Sequence, residues 1–378
     1  MGDGLVLGLS LIVGVVTLLP FWKSTIWWVR VTEFPRIQWA VLALVLGCSW
    51  PWTGWPLAVK AVAGLGMLAC LIYQGWRIFP FTPLARKQVL STKHPRPSDE
   101  LTLFVANVLM TNRAVDRLLA LIRRYDPDLI LLVETDAWWT NQVQQALAKA
   151  YSFSVLQPQR NTYGMALFSK LTLLGPEVRF LIEEDVPSIR TRVLLRNGVP
   201  VWFYGVHPRP PVPTEDLTST ARDAELLVVG REVKAIREPV IVAGDLNDVA
   251  WSSTTRLFQH ISGLLDPRRG RGFFNTYHAR WPFLRWPLDH VFHSKHFWLR
   301  RLRRLPYWGS DHFPVLITLQ FAPEAGQVQE EPEASREEQR EASEKIATAR
   351  SDSAPQAAVS FSAGSAGVAG ARAVRSSA

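Results

Sequence analysis

The chain has 378 residues, 48% of them hydrophobic, with 16 tryptophans and a formal net charge of +9. That length holds one domain of ordinary size plus extra segments, and the charge suits an anionic partner: nucleic acid, phosphorylated lipid or a membrane surface. Both cysteines, Cys48 and Cys70, fall within the apolar residues 1–80. This excludes a disulfide or thiolate metal site from the rest of the chain, and no disulfide-linked partner is implied.

Residues 1–80 read as a transmembrane region. Gly4 to Phe21 (4–21) is apolar and uncharged, close to the ~17–25 residues that a bilayer-spanning helix needs. No basic stretch precedes it, and Pro20-Phe-Trp-Lys23 stands where a signal peptide would be cleaved. Two further runs, 37–52 and 57–79, flank the tight Pro51-Trp-Thr-Gly-Trp-Pro56 and read as a helical hairpin. Trp27, Trp28, Trp39, Trp50, Trp52, Trp55 and Trp76 sit near the expected ends, where an indole keeps its ring among headgroups and its N–H wet. The chain is thus expected in the cell (inner) membrane as a multi-pass protein. If all three runs cross, Lys23, Arg30 and Arg36 share a side with Arg77, Arg86, Lys87, Lys93 and Arg96, which places the bulk of the chain, from residue 81 on, in the cytoplasm. If one run lies flat, the orientation reverses.

Residues 81–100 read as a basic, proline-containing linker whose charges can rest on anionic headgroups. From Leu101 the periodicity changes. Leu101 to Asn107 predicts a strand, Arg113 to Tyr125 a helix with Val115, Leu118, Leu119 and Ile122 on one face, and Asp128 to Glu134 a second buried strand. Trp138 to Ala150 predicts a helix, then Phe153–Gln157, Gly164–Ser169, Thr191–Leu195 and Val199–His207 shorter strands, and Ser219 to Arg237 a long helix. Pro239-Val-Ile-Val-Ala-Gly-Asp245-Leu-Asn247 is a buried strand that delivers two polar side chains at its end. Thr254 to Ser262 predicts a helix capped by Ser253, and Asp266 to Thr276 a Gly- and Arg-rich loop suited to an anion. Leu288 to Phe292 and Val315 to Phe321 predict the last strands, with Asp311-His312 between them. Residues 322–378 turn to Glu, Ala, Ser, Gly and Gln and are expected to be disordered.

Strand ends therefore supply Asn107, Glu134, His207, Asp245, Asn247, Asp289, Asp311 and His312. Each alone suits a cap, a turn or a core hydrogen bond. As an ordered set, with Tyr163-Gly-Met-Ala-Leu-Phe-Ser169, Gly-Asp245-Leu-Asn247, Leu-Asp289-His and Gly-Ser-Asp311-His312-Phe-Pro, the region 101–321 resembles the endonuclease/exonuclease/phosphatase family of DNase I-like fold. The membrane-anchored layout is similar to a bacterial subgroup that includes a teicoplanin-resistance-associated protein.

The resemblance implies an α+β, four-layer αββα sandwich behind about three transmembrane helices, and a Mg²⁺-dependent hydrolase of phosphate esters, with Mn²⁺ as the alternative ion. It implies Glu134, Asn107 and Asp311 as metal ligands, Asp245 as the base on the attacking water, and Asn247 and His312 on the phosphate. Asp289 would orient His312, and His207 would donate a proton to the phosphate or leaving group. The family's acidic partner for the first histidine is not identifiable here; Glu183, Glu184 and Asp185 are candidates. Arg268, Arg269 and Arg271 are the expected phosphate clamps, with Arg160 and Arg209 as further candidates. A domain tethered beside a bilayer favours a phosphorylated or pyrophosphorylated lipid as substrate. Nucleic acid remains the alternative, and a catalytically inactive phosphate-binding module the third.

Overall fold

The computed structural model describes residues 2–353. Its N-terminal part holds α1 (Asp3–Leu18), the short α2 (Trp27–Arg30), α3 (Arg36–Ser49) and α4 (Leu57–Ile78). Of these, α1, α3 and α4 pack around Val6, Val13, Ala43, Leu46, Trp50 and Met67. Two helical stretches, Asp3–Trp22 and Leu57–Phe81, are long and apolar enough to cross a membrane; the pair Trp27–Glu33 and Arg36–Trp52, bent by 70°, makes a third if counted as one span. Leu11, Leu18, Val62 and Leu65 point outward from the bundle.

The remainder runs β1 (Glu100–Asn107), α5 (Val115–Tyr125), β2 (Leu129–Val133), α6 (Ala137–Leu147), β3 (Phe153–Gln157), β4 (Met165–Ser169), β5 (Leu173–Phe180), β6 (Pro187–Leu194) and β7 (Pro200–Gly205). Then come α7 (Thr220–Ala235), β8 (Val240–Asp245), α8 (Ser253–Ser262), β9 (Asp289–His293), β10 (Phe297–Arg304), β11 (Val315–Phe321) and α9 (Arg336–Ser353). One sheet has the order β10-β11-β1-β2-β4-β3 and the other β5-β6-β7-β8-β9. The side-chain alternation of a strand explains the layering. Leu103, Val105, Leu131, Val133, Phe203 and Ile241 meet between the sheets. Phe104, Ile130 and Leu132 turn outward to Leu118 and Trp139 on α5 and α6, while Tyr204 and Val242 turn to Leu226 and Phe258 on α7 and α8. Central strands covered on both faces need apolar residues throughout, which is why β2 and β8 read as unbroken runs.

Three expectations differ. β5 and β10 escape the sequence pattern because each is an edge strand: Arg300, Arg301, Arg303 and Arg304 on β10 are exposed and hide its apolar side. Residues 81–100 are a strap rather than a free linker. Phe81 and Val89 are fully buried, Gly270 donates to the Pro80 carbonyl at 2.8 Å, and Leu299 donates to the Leu90 carbonyl at 2.9 Å and accepts from the Thr92 N–H at 3.0 Å. The tail from 322 is ordered as far as Ser353. Ala342, Ile346 and Ala349 of α9 pack on Ala224, Leu227 and Ile261, and three small apolar residues on one face of a charged helix leave no mark on composition. The remainder of the expected disordered tail, 354–378, lies outside the described residues.

A buried ionic seam joins the two parts. Glu33, between α2 and α3, accepts from Arg30 at 3.0 Å and Arg36 at 2.8 Å, with Arg77 at 3.8 Å. Arg30 reaches Asp248 at 3.6 Å, and Asp248 faces Arg222 at 3.4 Å. Trp251 Nε1 donates to the Glu33 carbonyl at 2.8 Å, and Arg77 donates to the Trp251 carbonyl at 2.7 Å. Arg30, Arg36 and Arg77 are thus paired inside the protein rather than displayed to headgroups.

Candidate active site

The site forms where β1, β2, β7 and β8 end and the antiparallel β9 begins. Gly244 has φ 148, and a Cβ there would stand 1.8 Å from the Val206 carbonyl oxygen, so the two strand ends approach only through glycine. Asn247 comes next with φ 50, and Glu134 has φ 61. Left-handed backbone at two non-glycine residues is strain, and it aims both side chains into one space. Asn247 is fixed by three contacts: its N–H donates to Asp245 Oδ1 at 3.0 Å, its Nδ2 to the Pro208 carbonyl at 2.9 Å, and Arg222 Nη1 to its own carbonyl at 2.7 Å.

Asn107 bridges two carboxylates, its Nδ2 donating to Glu134 Oε1 at 2.6 Å and to Asp245 Oδ2 at 3.0 Å. His312 does the same across the site, with Nδ1 2.7 Å from Asp289 Oδ2 and Nε2 3.5 Å from Asp245 Oδ2. Ser310 fastens this last loop to β1: its hydroxyl donates to the Asn107 carbonyl at 2.8 Å and accepts from the His312 N–H at 3.0 Å. His207 Nδ1 lies 3.1 Å from the Asp245 carbonyl. Glu183 and Asp185 are bound instead to Arg209 at 2.8 and 2.9 Å, so neither orients His207.

The charges explain the chemistry. Burial opposes the imidazolium of His312, but Asp289, Asp245 and Asp311 outweigh it and push the group up to about 10, leaving a cationic donor at neutral pH. Burial pushes the Glu134 carboxyl up; His207, Asn107 and His312 oppose this and Asp311 adds to it. Asp289 Oδ1 is buried with no hydrogen-bond partner.

Asp245, Asp289 and His312 offer ligand atoms within 4.8 Å of one another. Both ring nitrogens of His312 face these two carboxylates, so the trio is described as an ion-paired array. The set that fits a hard divalent cation is Glu134, Asp311 and Asn107, all oxygen donors, where a cation would relieve the crowding of carboxylates. Asn107 Oδ1 accepts from the Leu109 N–H at 2.9 Å, so ligation by Asn107 requires its amide turned over.

The family model described as "Endonuclease/Exonuclease/phosphatase family" matches residues 105–312, more than half of the chain, and takes in every one of these side chains. The chain belongs to that family. Its members are in general metal-dependent phosphoester hydrolases. None of the curated proteins compared with the chain matches it. Among solved structures, it is similar to the catalytic domain of human Nocturnin with bound sulfate, at 18% identity over 60% of this chain and 96% of that one, with a TM-score of 0.50. An endonuclease/exonuclease/phosphatase from Beutenbergia cavernae matches at 17% over 59% and 72%, TM-score 0.49. Sphingomyelinase C from Streptomyces griseocarneus matches at 17% over 58% and 99%, TM-score 0.44. These similarities concern the fold.

The structure brings Asn107, Glu134, His207, Asp245, Asn247, Asp289, Asp311 and His312 together, and it does not bring the arginines of the Gly-rich loop with them. Arg268 is buried and donates to Asp266 at 2.7 Å and to His290 Nδ1 at 2.7 Å. Arg271 donates to the carbonyls of Val89 and Pro267 at 2.5 and 3.1 Å, pinning the strap. Arg269 sits over the Phe81 ring at 5.9 Å. Arg268 and Arg271 are internal braces, their forks turned toward main-chain carbonyls and a buried aspartate, and Arg269 lies against Phe81. Arg209 is likewise occupied by Glu183, Asp185 and Glu215, whereas Arg160 is exposed. Sequence reasoning missed Tyr277, whose ring lies 4.9 Å from that of His312, and Arg222, which holds Asn247. An arginine in the helix that leads into the site strand was the available signal for the latter.

Proposed function

We propose that this protein is a membrane-anchored, Mg²⁺-dependent phosphoesterase of the inner membrane, acting on a phosphorylated or pyrophosphorylated lipid headgroup. The observation that carries the reading is the convergence of Glu134, Asn107, Asp245, Asn247 and His312 on one space, with carboxylates in excess over cations. Glu134 and Asp311, with Asn107, would hold the cation, which supplies charge neutralisation on the non-bridging oxygens. Asp245, whose Oδ1 accepts from the Asn247 N–H, would take the proton of the attacking water. His312, kept protonated by Asp289, donates to a phosphate oxygen. Asn247 has one amide hydrogen left for the phosphate after bonding Pro208. His207, with Nδ1 against the Asp245 carbonyl, keeps Nε2 as the nitrogen that would serve the leaving group.

Lipid chemistry is favoured because the domain sits directly on the ends of α2 to α4, through Glu33, Arg77 and Trp251. The test uses the full chain in detergent, since Phe81, Val89 and Glu33 belong to the domain's interior. Hydrolysis of bis-p-nitrophenyl phosphate with Mg²⁺ is expected, and is lost with chelator or with Asp245→Asn. No hydrolysis of any phosphoester would leave an inactive binding module. Comparing plasmid DNA with phospholipids and a polyprenyl pyrophosphate then separates nuclease from lipid hydrolase, and equal efficiency on DNA would defeat the lipid reading.

A further inference from the structure

Residues 278–286 leave the site and return to it. The His278 N–H donates to the Leu284 carbonyl at 3.0 Å, the Leu284 N–H to the Trp281 carbonyl at 3.1 Å, and the Trp281 N–H to the His278 carbonyl at 3.3 Å. The excursion is therefore a closed finger. Arg285 braces its base, donating to the carbonyls of His278 and Ala279 at 3.3 and 2.8 Å, and Arg280 donates to the Tyr307 hydroxyl at 3.2 Å. Its tip is nevertheless turned outward: Trp281 is 61% exposed, Phe283 85% and Leu284 50%. A hydrogen-bonded scaffold that holds three large apolar side chains out of the protein calls for an apolar partner.

Position identifies that partner. Gln38, in the first turn of α3, donates from Nε2 to the Phe283 carbonyl at 2.7 Å, so the tip lies level with the start of an apolar helix. Trp22, Trp28 and Trp76 are exposed at the domain-side ends of the same bundle, with the first two rings 6.1 Å apart. The finger continues this aromatic belt, the arrangement that the headgroup layer selects. At its root the finger joins the site. The Ala279 N–H donates to the Asp311 carbonyl at 2.6 Å. The Tyr277 ring, against His312, stacks on Trp286 at 6.3 Å, and Trp286 meets Phe34 at 5.8 Å. Three ring contacts lead from the imidazole of the site to the helix bundle.

The geometry points to a lipid-facing finger: Trp281 to Leu284 seats in the interfacial layer of the bilayer that the bundle crosses and holds the mouth of the site against phosphate-bearing headgroups. The inference rests on the phosphoesterase reading above and adds the phase from which substrate arrives.

Two measurements test it on the full-length chain. With Cys48 and Cys70 replaced by serine, a Phe283→Cys variant carrying a bimane label is reconstituted in nanodiscs of phosphatidylcholine and phosphatidylglycerol. Brominated acyl chains are expected to quench this label and not one on Glu177→Cys, which is exposed on β5; equal behaviour of the two labels overturns the membrane seat. In the second measurement, the triple change Trp281→Ser, Phe283→Ser, Leu284→Ser is expected to keep bis-p-nitrophenyl phosphate hydrolysis within about twofold and to lose about tenfold or more on nanodisc phospholipid or polyprenyl pyrophosphate. Equal loss on both classes, or no loss on lipid, overturns the finger's role. A parent protein that cleaves the soluble ester but no nanodisc lipid overturns the lipid substrate. A parent that cleaves no phosphoester overturns the phosphoesterase reading instead, and the quenching result still decides the seat.

Discussion

Two buried charge clusters among the described residues, the seam and the candidate site, are built on opposite principles. In the seam, Arg30, Arg36, Arg77, Arg222 and Lys345 surround Glu33, Asp223 and Asp248, so every carboxylate has a fixed cation within 4 Å. Burial alone would push the Asp223 carboxyl up, yet Lys345, Arg222 and Arg30 hold it far below the usual range. In the site, Glu134, Asp245, Asp289 and Asp311 gather around His312, whose imidazole these aspartates push up to about 10. The seam is complete in itself and serves structure. The site keeps a negative surplus, which is what a divalent ion and a phosphate require.

Substitutions can break or sharpen this contrast. The largest effect is expected from Asp245→Asn, a loss of about 10³-fold or more in phosphodiester hydrolysis. Melting measured in chelator should stay unchanged or rise, because a surplus carboxylate is removed. Next, Arg222→Met should lower stability by about 3–5 kcal/mol, since Asp223 and Asp248 lose a buried partner, and chemical denaturation of the detergent-solubilised chain would show it. A fall in melting temperature for Asp245→Asn as large as that for Arg222→Met would erase the distinction.

A smaller effect concerns Glu225 on α7, which belongs to neither cluster. Burial, and then Glu183, push its carboxyl up to about 8, with Arg179 opposing. A folded-state value above the unfolded one means that the neutral acid is the stabilising form. Its contribution is complete below about pH 4.5 and is lost as pH rises through about 8. Glu225→Gln should therefore match the parent at low pH and exceed its stability at pH ~9 by on the order of 2–3 kcal/mol, read from melting curves across pH. The smallest effect is expected at Arg271. Because its guanidinium is committed to Val89 and Pro267, Arg271→Gln should change kcat/KM for a phosphodiester by less than about threefold, with a modest fall in melting temperature. A drop of a hundredfold would return the Gly-rich loop to the phosphate.

The meeting of these polar side chains was legible in the chain because most of them stand at the ends of uninterrupted apolar strands, where a polar side chain is conspicuous. Asn107, Glu134 and Asp245 were found that way, and the structure brings them within hydrogen-bonding distance. Contacts that depend on which way a long side chain turns were not legible. Arg268, Arg269 and Arg271 share the composition of an anion loop, yet their forks point inward, and nothing in local spacing distinguishes the two directions. The edges β5 and β10 and the helix α9 were hidden for a related reason: only one narrow face of each is covered, so charged residues dominate the pattern. Tyr277 was missed because an aromatic residue outside a motif looks like core until its neighbours are known.

The strap from Phe81 to Ser91 carries one more consequence. Its buried Val89, its clasp by Arg271 and its bridge to Leu299 make it an internal member of the domain. Under the proposed anchorage, cutting the chain there would not shed an enzyme from the membrane; it would open the domain's own core. A soluble form of the domain would have to keep the strap, so any boundary drawn for it falls before Phe81.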